Sequence, residues 1–231
     1  MTEQVQVNRY VCFPSTVFVV DKPDHVQLVS DVSKEYLKRQ EDDHQLDEIF
    51  PVYHTDDFSN DPRLTDFTSY VAQVAHDILN DQGYDMTNKR TYFSSMWLQD
   101  HHKHSQMEQH VHGQGAQMVG FYFLDCPENC SNVLVHDPRP GKVQINLPIK
   151  DPSQYSEANE SIVFEAKTGR LFFANAWMPH SFTRHRSDKP MRFVHFNINI
   201  EQLVEYMVPI FHWLPQEETP ILHLNFLLHF L

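Results

Sequence analysis

The stretch QHVHGQGAQMVGFYFLD, residues 109–125, places two histidines one residue apart just ahead of a continuous apolar run. In an extended chain, residues i and i+2 project to the same side. His110 and His112 can therefore present two imidazoles to one ion at the mouth of a buried strand. Two imidazoles still need a third group, so a metal site here requires a ligand from elsewhere in the chain.

The H-x-H pattern is unspecific by itself. With 16 histidines in 231 residues, chance alone yields about one such pattern per chain. His102 and His104 form a second one, but they lie in the polar stretch DHHKHSQ without an apolar run, and we interpret them as part of a solvated loop. The better third candidate is His180, which follows an apolar strand, residues 171–177, and a proline turn.

The sequence around these histidines is typical of a β-rich fold. From residue 90 onward, short β-type runs alternate with turn residues. Seven runs are predicted as strands: TYFSSMWLQ, AQMVGFYFLD, NVLVHD, KVQINLPI, SIVFEA, RLFFANAW and MRFVHFNINI. Strands of this number and spacing predict a sandwich or barrel, with KTG at residues 167–169 as a tight turn.

The first ninety residues are different because two helical patterns dominate them. An extended segment, residues 9–21, precedes a first helix whose apolar residues recur at helical spacing. The second helix is framed by Asp61 as N-cap, Pro62 at the first helical position and Gly83 beyond its end. Helices followed by strands predict an α+β fold with the helices packed on one sheet.

Composition limits the possible classes of function. The chain carries 18 Lys and Arg against 31 Asp and Glu, a formal net charge of -13. This field repels nucleic acid and anionic membranes, so neither is expected as a partner. The length suits a single domain, 1–231, which we divide into a helix-rich region, 1–89, a β core, 90–200, and a C-terminal extension, 201–231.

Residence in the cytoplasm is the expectation from both ends of the chain and from its cysteines. MTEQVQVNRY has no secretory pattern, and three cysteines are an odd number that favours reduced thiols. The apolar segment PILHLNFLLHFL, residues 220–231, is too short to span a bilayer. We expect it to cover the barrel or to bury itself in a homodimer.

Four separated elements, in order, resemble the 2-oxoglutarate/Fe(II)-dependent oxygenases. They are the proximal stretch from MWLQ to the H-x-H, the GFYFLD strand, the HDPRP segment and the distal stretch WMPHSFTRHRSDKPMRFVHFNI. The resemblance spans roughly residues 97–200 and is nearest to a group of these oxygenases common in marine phages and bacteria. For a phage-encoded protein, the compartment would be the host cytoplasm.

The resemblance implies a double-stranded β-helix, a jelly-roll or cupin-like barrel, with Fe(II) and 2-oxoglutarate as cofactors and dioxygen as a substrate. His110, His112 and His180 would be the catalytic metal ligands. Arg192 matches the basic residue that pairs with the far carboxylate of 2-oxoglutarate, and Tyr122 could donate its hydroxyl to the same group. Hydroxylation of a small molecule or peptide is the reaction implied.

One position departs from the family pattern. His112 falls where most members carry Asp or Glu, so this chain would offer three neutral imidazoles instead of two and a carboxylate. Asp137 is a candidate substitute carboxylate. The departure leaves two alternatives open: an enzyme similar to the three-histidine thiol dioxygenases, and a non-catalytic metal-binding jelly roll used for assembly.

Overall fold

The computed structural model describes residues 7–113, 115–145 and 147–203. Its two sheets are antiparallel throughout. The helices are α1 (Val26–Asp43) and α2 (Thr65–Asp81). The strands are β1 (Val17–Asp21), β2 (Val52–His54), β3 (Lys89–His101), β4 (Met107–His110), β5 (Met118–Asp125), β6 (Val133–His136), β7 (Ser161–Phe164), β8 (Arg170–Asn175), β9 (His180–Phe182) and β10 (Met191–Gln202).

Strand order divides the protein into a large and a small sheet. The six-stranded sheet runs β1-β8-β5-β10-β3-β2 and the four-stranded sheet runs β4-β9-β6-β7. Neighbours in the large sheet are far apart in sequence, since β5 lies between β8 and β10. This interleaving brings the chain segments around residues 110 and 180 together, because β4 pairs with β9 and His110 is the partner of His180.

The two helices cover one face of the large sheet. Asp61 begins the second helical segment as predicted, because its carboxylate accepts a hydrogen bond from the backbone N–H of Arg63 and Pro62 opens a 3-10 turn. Gly83 follows α2 with a φ of 91°, a conformation that glycine adopts without a Cβ penalty. The buried apolar side chains of both helices form one cluster with β3, β5, β8 and β10.

The other face of the large sheet turns towards the small sheet. A second apolar cluster fills the space between them and contains Phe121, Phe172, Phe182 and Phe193. We call this space the barrel interior. The fold is thus a double-stranded β-helix with the helices packed on one sheet, and the predicted α+β class is confirmed.

Local features differ from the prediction in a few places. KVQINLPI was expected to be a strand, but Pro140–Gln144 is a 3-10 helix, and Ile145 and Leu147 are exposed. The alternating apolar residues of this segment therefore do not pack against a buried face of a sheet. The short strands β2, β4 and β9 were not predicted, because β2 and β9 have only three residues and β4 reads MEQH, which lacks an apolar alternation.

Gly120 on β5 leaves no space for a ligand. A Cβ built on Gly120 would lie 2.3 Å from the ring of Phe196. The glycine therefore makes room for a core aromatic on the helix-covered face of the sheet.

The C-terminal segment, residues 220–231, lies outside the described residues. Within the part of the chain that is described, no helix is both long and apolar enough to cross a membrane.

Candidate metal centre

Three histidines from two strands and the turn between β4 and β5 meet at one end of the barrel. His110 ends β4, His112 follows it, and His180 begins β9. One nitrogen from each ring lies within 4.8 Å of the others. The ring centroids of His110 and His180 are 4.5 Å apart, and that of His112 is 5.2 Å from each. The chain therefore brings together the three residues predicted as ligands.

Backbone contacts fix which nitrogen of two rings faces the common point. His110 donates from Nδ1 to the carbonyl of Glu108 at 2.8 Å, and His180 donates from Nδ1 to the carbonyl of Met178 at 2.9 Å. A histidine whose Nδ1 carries the proton offers the Nε2 lone pair to a metal. Both rings are thus held as Nε2 ligands.

Burial favours the neutral form of two rings in the cluster. Burial is the main cause that lowers the pKa of His180 to about 3 and the pKa of His112 to about 4. The Nε2 atoms of these two rings are buried and have no hydrogen-bond partner among the described residues. Unpartnered buried nitrogens are costly. Neutral, convergent and unpartnered imidazoles suit a divalent transition metal, so these residues fit the Fe(II) that the resemblance implies.

A fourth histidine, which the sequence analysis did not single out, adjoins the cluster. His195 on β10 is 2% exposed, and its ring centroid lies 4.9 Å from that of His112. Trp97 and Phe121 pack on the same ring at 4.3 and 4.7 Å. Strand alternation along RFVHFNINI places His195 on the face opposite Arg192. This alternation is the signal in the sequence that could have identified His195.

A cavity of about 600 Å³ opens beside the cluster. His110 and Arg184 both line it, with Phe50 and Met107 as apolar wall. Arg184 makes no hydrogen bond or ion pair within the described ranges. It is also the one arginine or lysine on the described walls of this cavity. A free guanidinium is suited to a carboxylate, which it can bind through two parallel hydrogen bonds.

The structure does not bring Tyr122 to the histidines. Its side chain lies on the helix-covered face of β5, where its ring centroid is 5.0 Å from that of Phe67. Its hydroxyl donates to the carbonyl of Lys22 at 2.7 Å. The neighbouring Phe121 is the residue that faces the barrel interior and contacts His180. Strand alternation therefore separates Tyr122 from the cluster.

Arg192 also lies on the helix-covered face. Its Nε donates to Asp100 at 2.7 Å, and the Asp100 carboxylate is fully buried and also bonded to His102. The structure thus commits this guanidinium to a protein carboxylate. Asp137, the candidate substitute ligand, is bonded to Arg139 through both of its oxygens and is not in the cluster.

The comparisons agree with this fold. Residues 95–197 match the family described as "Putative 2OG-Fe(II) oxygenase", a range that contains all three clustered histidines. No sequence among curated proteins matches the chain.

Solved structures with the same fold are distant in sequence. A prolyl-4-hydroxylase from Pseudomonas putida has a TM-score of 0.53 at 9% identity, over 80% of this chain and 93% of its own. AviO1 from Streptomyces viridochromogenes Tue57 has a TM-score of 0.56 at 9% identity, over 80% and 90%. The viral collagen prolyl hydroxylase of Paramecium Bursaria Chlorella virus-1, solved with 2-oxoglutarate, has a TM-score of 0.52 at 10% identity, over 85% and 100%.

The solved structures show that the fold is shared. The sequence match covers the region that contains the three clustered histidines. The departure at His112 leaves the architecture unchanged. Residues 95–197, a little under half of the chain, are therefore similar to the 2-oxoglutarate- and Fe(II)-dependent oxygenases, and this match supports the predicted superfamily.

Proposed function

We propose that this enzyme is a hydroxylase that uses Fe(II) held by His110, His112 and His180. It would couple the oxidative decarboxylation of 2-oxoglutarate to the oxidation of a small molecule or peptide. The observation that carries the proposal is the convergence of three buried or half-buried imidazoles, two of them held in the Nε2-ligand tautomer by their own backbone.

The bound iron and 2-oxoglutarate would supply the oxidising chemistry with dioxygen, giving succinate and carbon dioxide. The protein's part is to bind, orient and exclude water. The three histidines would occupy one side of the ion and leave the other coordination positions for ligands. Phe121 packs its ring 5.6 Å from that of His180 and closes the apolar interior behind the cluster.

The open approach to the metal is the cavity that His110 and Arg184 line. We assign the far carboxylate of 2-oxoglutarate to Arg184, because this guanidinium makes no ion pair among the described residues, not even with Glu108, which lines the same cavity. Arg192, the residue that the resemblance suggested, would first have to leave the buried Asp100. Breaking this ion pair would cost folding free energy, since it would leave the buried Asp100 carboxylate without its guanidinium partner.

Three imidazoles give the site one negative charge less than two imidazoles and a carboxylate. The ion would keep its full double positive charge towards its remaining ligands. That charge favours anionic ligands such as a 2-oxo acid. It also makes the iron a stronger Lewis acid than in the usual site.

The test is an anaerobic titration of the Fe(II)-loaded protein with 2-oxoglutarate, followed by exposure to dioxygen. Bidentate binding of the 2-oxo acid should produce a visible charge-transfer band, and succinate should form on oxygenation. The His180→Ala variant is the matched negative control because it lacks one ligand.

Two results would contradict the proposal. If the band and succinate are both absent while iron is bound, 2-oxoglutarate is not the cosubstrate. If a thiol compound is oxygenated without 2-oxoglutarate, the three-histidine thiol dioxygenase alternative is correct instead.

A further inference from the structure

The buried ring of His195 is connected to a chain of polar groups that crosses the barrel interior. Gln99 donates from Nε2 to His195 Nδ1 at 3.2 Å. The same amide accepts from His101 Nε2 through its Oε1 at 2.9 Å. Ser105 donates its hydroxyl to His101 Nδ1 at 3.1 Å. All four residues are at most 2% exposed.

This chain of hydrogen bonds defines the tautomer of His195. Because the Gln99 amide occupies Nδ1 as a donor, the ring proton lies on Nε2. That Nε2 is buried and has no partner among the described residues. A buried donor without an acceptor costs about 1–3 kcal/mol. The Nε2–H of His195 is therefore suited to donate a hydrogen bond to an acceptor atom of a bound ligand.

The place of His195 indicates which ligand. Its ring lies against that of His112, and Phe121 and Trp97 enclose its other sides. It is not one of the three residues whose nitrogens all lie within 4.8 Å of one another. It therefore adjoins the metal centre without sharing its common point, as a donor to a metal-bound ligand must.

We propose that His195 is a positioning residue whose Nε2–H donates a hydrogen bond to an oxygen atom of the anion bound at the metal. Gln99 holds it in the donor tautomer. The inference rests on the proposed function for the presence of the metal. It adds a neutral donor that would stabilise negative charge on a ligand oxygen without contributing a further charge to the centre.

The experiment uses the full chain loaded with Co(II), and acetate as a simple carboxylate probe that does not depend on turnover. Acetate binding is followed through the visible Co(II) absorption. His195→Phe keeps an aromatic ring beside Phe121 and Trp97 but removes the donor. His195→Gln keeps a donor at the same position and is the matched control.

The expected result is that His195→Phe weakens acetate binding by roughly 10-fold or more, as for a lost hydrogen bond to a charged group. His195→Gln should recover most of this affinity, and Co(II) affinity should stay within a few-fold of the unaltered protein in both variants. Repeating the titration with 2-oxoglutarate on the Fe(II) form should show the same order and a shifted charge-transfer band for His195→Phe.

Three results would overturn the inference. Equal acetate affinity in His195→Phe and the unaltered protein would show that no such contact exists. A Co(II) affinity as low as that of His180→Ala would make His195 a fourth ligand, in the other tautomer. Equal weakening in His195→Gln would assign the effect to packing. Succinate formation tests the proposed function separately, because the acetate result does not require it.

Discussion

The two faces of the six-stranded sheet use polar residues in opposite ways. On the helix-covered face, Tyr122 donates to a backbone carbonyl and Arg192 is bonded to Asp100, so these groups are satisfied by the protein itself. On the barrel-interior face and beside it, His112, His180 and His195 each keep a buried nitrogen without a partner among the described residues. The same strands, β5 and β10, supply residues to both faces.

This difference separates stability from function within single strands. A satisfied buried polar group contributes to folding, whereas an unsatisfied one costs folding free energy and is retained where a ligand uses it. We therefore expect substitutions on the helix-covered face to change the free energy of unfolding. Those in the interior should change metal and anion binding instead.

The largest effect is expected at the metal ligands. His180→Ala should lower Fe(II) or Co(II) affinity by more than about 100-fold, because two remaining imidazoles do not make a stable facial site. Metal content after dialysis and calorimetric titration measure this. His44→Ala, which alters an exposed histidine beyond α1, is the control. If His180→Ala still binds one metal ion tightly, the three clustered histidines are not the metal site.

The next effect concerns the ion pair on the helix-covered face. Arg192→Leu leaves the buried Asp100 with His102 as its one remaining side-chain partner among the described residues. We expect a loss of roughly 2–3 kcal/mol in the free energy of unfolding, less than for a fully buried pair because Arg192 is partly exposed. Urea denaturation measures it. Metal affinity should be unchanged, and a large loss of it would break the separation between the faces.

Arg184→Gln should act on binding and leave stability intact. We expect 2-oxoglutarate affinity to fall by about 10-fold to 100-fold, as for a lost charge-assisted hydrogen bond. The affinity for 2-oxopentanoate, which lacks the far carboxylate, should not change. Arg186→Gln, an exposed arginine two residues away, is the control. If Arg192→Leu weakens 2-oxoglutarate binding instead, the original prediction for Arg192 is correct.

The smallest effect is expected for Tyr122→Phe. Loss of the hydrogen bond to the Lys22 carbonyl should cost about 1 kcal/mol in the free energy of unfolding. The affinity for 2-oxoglutarate should stay the same, because the hydroxyl is on the helix-covered face. A drop in that affinity at unchanged stability would show that Tyr122 binds the cosubstrate, as the sequence predicted.

The fold class and the clustering of His110, His112 and His180 could be predicted from the sequence because their signals are local or periodic. The H-x-H pair shares a side by strand geometry, and His180 follows a recognisable strand and turn. The α2 boundaries follow from Asp61, Pro62 and Gly83. The failed strand at KVQINLPI had the right alternation, but a strand also needs a neighbour to pair with, which no single run of residues reveals.

The surroundings of the ligands could not be predicted with the same success. Arg192 matched a family position, yet its partner Asp100 comes from a strand whose register with β10 is a tertiary property. His195 was one histidine among 16. The tautomer of its ring depends on Gln99 and His101, which reach it through the pairing of β3 with β10, and on Ser105 in the loop after β3.

His110 and His180 each donate a hydrogen bond to the backbone carbonyl two residues earlier in the chain. The orientation of these two rings is therefore set within two short peptide segments. It does not require a hydrogen bond from a distant side chain. Substitutions elsewhere in the barrel can then accumulate without turning either ring away.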